Sequence, residues 1–65
     1  MPNPIARAKV YQERANECLE LASMATTEAT RAEYQNLVAG YTKLAEAELK
    51  LAAEIEAHNE RAMRG

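Results

Sequence analysis

The 65-residue chain has no tryptophan and no phenylalanine, and only two glycines, two prolines, one cysteine and one histidine. Each scarcity excludes something. With Cys18 alone, no disulfide can form within the chain. Cys18 and His58 together are too few for a Cys/His zinc site in one chain. Both prolines lie in the first four residues and one glycine is the last residue, so between residues 5 and 64 the only helix breaker is Gly40. No apolar run approaches the ~18–20 residues of a membrane span. The opening MPNPIARAKV lacks the apolar core of a signal peptide. The expectation is a soluble, cytoplasmic chain, for which one free thiol suits a reducing compartment.

Charge of one sign is also lacking. Eight basic residues face ten acidic ones, for a net charge of −2. Residues 1–26 cancel, residues 27–57 carry three more negative charges than positive, and the tail is slightly positive. No basic patch exists to neutralise phosphates, so nucleic-acid binding is not expected. The chain has no Gly-rich phosphate loop and no Ser/His/Asp set. With one histidine, one cysteine and no loop to hold a site, no enzymatic activity, catalytic residue or cofactor is expected.

What is present is helix. Ala, Glu, Leu, Lys and Arg dominate, and these are strong helix formers. Asn3 before Pro4 reads as a helix start: the side chain can accept from a first-turn amide, and proline at the first position loses nothing. Ala8, Tyr11, Ala15, Cys18, Ala22 and Ala25 then recur in three–four steps, a heptad seam of small residues flanked by Leu19 and Leu21. Ala25-Thr26-Thr27-Glu28 reads as a turn in preference to one long kinked helix. Thr27 would cap the next helix by accepting from Ala29 or Thr30, and the charge of Glu28 suits the positive helix end.

The second helix carries the main seam, over residues 31–55: Tyr34, Leu37, Tyr41, Leu44, Leu51 and Ile55, interrupted by Glu48 and extended by His58 and Ala62. Val38, Ala45 and Ala52 lie beside it. The reading of Gly40 is a tolerated residue, with a close helix crossing as the alternative. Glu48 is expected to turn to solvent where the first helix has ended, the alternative being a pair with a basic residue of the facing helix.

The fold class that follows is all-α. A two-helix antiparallel hairpin spans about 4–25 and 28–62 as a single domain over residues 1–65, its second helix the longer. At 1.5 Å per residue the second helix overhangs by close to ~20 Å. The overhang begins at Leu49 and leaves Leu51, Ile55 and Met63 without partners in the chain. A chain below about 70–80 residues usually adds a disulfide, a metal or oligomerisation. With the first two excluded, the hairpin is expected to assemble into a helical bundle. The expected interface is Tyr11, Ala15, Cys18, Ala22, Tyr34, Leu37, Tyr41, Leu44, Leu51 and Ile55.

Residues 11–47 also resemble a family of short, uncharacterised alphaproteobacterial helical-hairpin proteins. Their first helix reads Y-x-x-x-A-x-E-C-x-x-L-A, matched here by Tyr11, Ala15, Glu17, Cys18, Leu21 and Ala22. Their second carries an Arg and then L-x-x-x-[YW]-x-x-L-A, matched by Arg31, Leu37, Tyr41, Leu44 and Ala45. Thr27-Glu28 stands where the family has Asp-Pro, and Val38 where it often has Ala. The resemblance implies a helical hairpin and brings no activity.

Three functions remain in view. The first is a non-enzymatic protein–protein interaction or self-assembly module, with a second copy or another helical protein as partner. The second is an accessory or regulatory subunit whose long helix docks on a different protein. The third is a metal- or redox-responsive hairpin using Cys18 or His58. Cys18 reads first as a small buried seam residue, with Arg14 one turn back as mild support for a reactive thiol. Glu54 and His58 stand four apart, not at the three-residue spacing of bundle metal sites. The three tyrosines read as core, with their hydroxyls at its edge.

Overall fold

A computed structural model describes residues 3–64, and the lead-in before Asn3 lies outside the described residues. Two helices account for nearly all of it. Helix α1 runs Pro4–Met24 and helix α2 runs Glu28–Arg64. They fold back on each other as an antiparallel hairpin, a rod of 58 × 16 × 14 Å. Its radius of gyration is 16.2 Å, against about 11 Å for a compact domain of this length.

Each helix begins as its sequence dictates. The amide of Ala6 donates to Asn3 Oδ1 at 2.7 Å, with Pro4 following in the first turn. The amide of Thr30 donates to Thr27 Oγ1 at 3.2 Å, the cap expected for α2. Glu28 occupies the first turn and pairs with Arg31 one turn on. The turn between the helices needs no glycine, because no described residue takes a positive φ. Helix α1 stops when Ala25 becomes extended, with φ −65° and ψ 137°, and its amide donates back to the Ala22 carbonyl.

The seam is where the fold departs from expectation. Helix α1 presents Ala8, Ala15, Cys18 and Ala22 as predicted, with Tyr11 half-buried among them. Helix α2 answers with Arg31, Tyr34, Val38, Tyr41, Ala45, Glu48 and Ala52, the residues of this helix withdrawn from full exposure. Their steps are again three and four, but the frame is one residue away from the leucine frame. Leu37, Leu44, Leu51 and Ile55 remain 47, 46, 39 and 44% exposed. The two frames share Tyr34, Tyr41 and Glu48, and what separates them is size. Ala8 and Ala45 are only 1 and 3% exposed. So close an approach of two backbones suits methyl groups and has no room for a row of leucines.

Two polar contacts accompany the packing. Arg7 Nε donates to Glu48 Oε2 at 2.6 Å across the seam. Arg31 reaches back to the Ala25 carbonyl in a long contact of 3.4 Å. Contrary to expectation, Glu48 does not turn to solvent beyond the end of α1; the alternative reading holds, and it pairs with a basic residue of the facing helix, Arg7. The overhang is shortened for the same reason. Ala52 is half-covered by the start of α1, and residues 53–63 are the exposed part. That is about 16 Å of helix at 1.5 Å per residue.

Candidate interaction surface

The hairpin has a thin interior. Among the described residues, the buried apolar ones are four alanines and Cys18, and no large side chain is fully buried. The one aromatic contact is between Tyr11 and Tyr41, whose rings stack with centroids 6.3 Å apart at 27°. It lies midway along the paired region and fills the gap between alanine layers.

The expected interface residues divide into two groups. Ala15, Cys18 and Ala22 are buried within the hairpin, and Tyr11, Tyr34 and Tyr41 are half-buried there. Leu37, Leu44, Leu51 and Ile55 lie beside the seam and stay exposed. The hairpin's own packing therefore uses the first group and leaves the second available.

Both flanks of the seam expose apolar residues, Leu19 and Leu49 on one and the leucine row of α2 on the other. Gln12 with Thr42, and Leu19 with Gln35, line clefts on one flank. At 100° per residue, Leu37, Leu44 and Leu51 fall on the other side of α2. There they run in line with Gly40 and Ala47. Asn36, Leu37, Gly40, Tyr41 and Leu44 line a shallow cleft, and a Cβ built on Gly40 meets nothing within 4 Å. Gly40 is thus no crossing point inside the hairpin; it is a notch in the outer leucine row. Near the turn, α1 also exposes Leu21 and Met24. At the far end, Ile5, Ile55 and Met63 line a cleft where α1 starts against α2.

The residues considered for chemistry are scattered. Cys18 is a free thiol buried in the middle of α1. His58 and Glu54 are exposed on the overhang. Among the described residues, no three His, Cys, Asp or Glu side chains come together in a group that could hold a metal ion. No helix among them is long and apolar enough to cross a membrane. What the arrangement offers is a surface for packing.

Two features of that surface were not read from the sequence: the inward packing of the Val38–Ala45–Ala52 row and the outward position of Gly40; the Arg7–Glu48 pair was the alternative reading of Glu48. The available signal was the unbroken heptad from Arg31 to Ala52, whose polar ends disguise it. Compared with known proteins, the chain matches no family model, no curated protein and no solved structure.

Proposed function

We propose that this chain is a non-enzymatic self-assembly module, a helical hairpin completed by a second copy of itself, acting in the cytoplasm. The observation that carries this is the leucine row of α2. A helix that spends its alanines on its own hairpin and holds Leu37, Leu44 and Leu51 on a separate face is arranged for a second helical contact. The thin interior points the same way, because a chain of this length rarely sustains its fold on so little buried area.

Sedimentation equilibrium tests it. The expected result is a mass above the 7.2 kDa of one chain, lost when Leu44 is replaced by Glu. A helical monomer at high micromolar concentration refutes self-assembly. The exposed overhang, residues 53–63, favours a second reading, docking of α2 on a different protein. Under it, the isolated chain is monomeric and frays beyond Ala52.

A further inference from the structure

The leucine row has a size pattern that points to its occupant. Along the outer face of α2 the residues alternate large and small: Leu37, Gly40, Leu44, Ala47, Leu51. Together with Glu33, Glu54 and His58 they make a second heptad, about 110° around the helix from the seam. In a parallel pair of such helices each position meets itself, so leucine would abut leucine and Gly40 would face Gly40 across a void. In an antiparallel pair the two heptad positions exchange, so a leucine meets a residue of the other set: Gly40 or Ala47 in the middle of the row, and a glutamate at its end. The pattern is complementary to its own reverse, as a two-fold interface requires.

From this we infer that two copies pair antiparallel, α2 against α2, with Leu51 of each seated over Gly40 of the other and Leu44 over Ala47. This rests on the self-assembly reading above and supplies its geometry. This register sets Leu37 opposite the partner's Glu54 and Glu33 opposite the partner's His58, with the partner's Arg61 one turn further. It also lays each overhang beside the turn end of the other copy, where Leu21 and Met24 are exposed. The two unpartnered features of the hairpin, its leucine row and its overhang, are thereby covered by one contact.

Area supports a partner of this size. The hairpin exposes 5337 Å², roughly 1,200 Å² more than the ~4,100 Å² of a compact monomer of its mass. Each side of a standard interface contributes about 800 Å². A second hairpin can therefore be accommodated without drawing on surface that a compact fold would need to keep.

Gly40 supplies the test, because a side chain there meets nothing within 4 Å in the single hairpin. Gly40→Leu should raise helix content, since glycine is a poor helix former. It should also weaken the dimer at least about tenfold, by crowding both leucine–glycine layers. Ala39→Leu, exposed on the neighbouring face, controls for added bulk and should leave the dissociation constant within about threefold. Sedimentation velocity reads both. A wild-type dimer that Gly40→Leu leaves intact overturns this geometry and spares the self-assembly reading; a wild-type monomer overturns both.

Orientation is read by pulsed electron resonance on a spin label at Ala57→Cys in a Cys18→Ser background. Two labels about 35 Å apart or more are expected, from the 23-residue stagger between Ala57 and its symmetry mate. Labels within about 20 Å would mean parallel helices and overturn the proposal.

Discussion

Single residues in this hairpin act through size and reach more than through hydrophobicity. Ala8 and Ala45 hold the helices close because neither has anything beyond a methyl group. Enlarging either to leucine should destabilise the hairpin by about 1–3 kcal/mol, seen as a lower urea midpoint with an unchanged slope. The Arg7–Glu48 bond is short and charge-assisted, yet the Arg7 side chain is 37% and the Glu48 side chain 20% exposed. Solvent screening therefore limits its worth. A double-mutant cycle with Arg7→Ala and Glu48→Ala should return a coupling of about 0.5–1 kcal/mol that shrinks in high salt. A coupling of zero would mean that the pair follows the register and does not help to set it.

At the scale of the element, the helices are defined by their ends. Asn3 and Thr27 each satisfy one amide that the helix cannot. Replacing either with alanine should cost about 1 kcal/mol, measured as a lower thermal midpoint of the helical circular dichroism signal. These ends were legible in the sequence because capping is local: an Asn before a Pro, or a Thr before a Glu, carries its meaning within four residues. The helix boundaries and the longer second helix were legible for the same reason. The frame of the α2 seam was not. Two heptads run along this helix through the same Tyr34, Tyr41 and Glu48, and the leucine one is the more hydrophobic. Which of them faces α1 depends on how closely α1 can approach, and that follows from the alanines of the other helix. Periodicity within α2 does not contain that information. Glu48 belongs to both frames; what periodicity within α2 does not contain is that it stands opposite Arg7, 41 residues away.

The whole molecule is a rod with two apolar faces and one partner. Its inner face is narrow and closed by α1. Its outer face is broader, built from leucines, and uncovered along the same length of helix. A 65-residue chain whose buried apolar residues are alanines and a cysteine gains little from folding alone, since hydrophobic stabilisation scales with the area removed from water. Covering the outer face roughly doubles the number of packed layers, so association should add to the stability of the hairpin. Leu44→Ala should then lower stability mainly through association, with little effect on a variant already made monomeric by Gly40→Leu. Equal losses in both backgrounds would place Leu44 in the packing of the single hairpin.

The dependence of unfolding on protein concentration tests this most directly. If two hairpins form one folding unit, the thermal midpoint rises by about 10 °C over roughly a hundredfold increase in concentration. A midpoint that stays constant over that range, with the chain helical throughout, would contradict the claim that the hairpin is half of its folded unit.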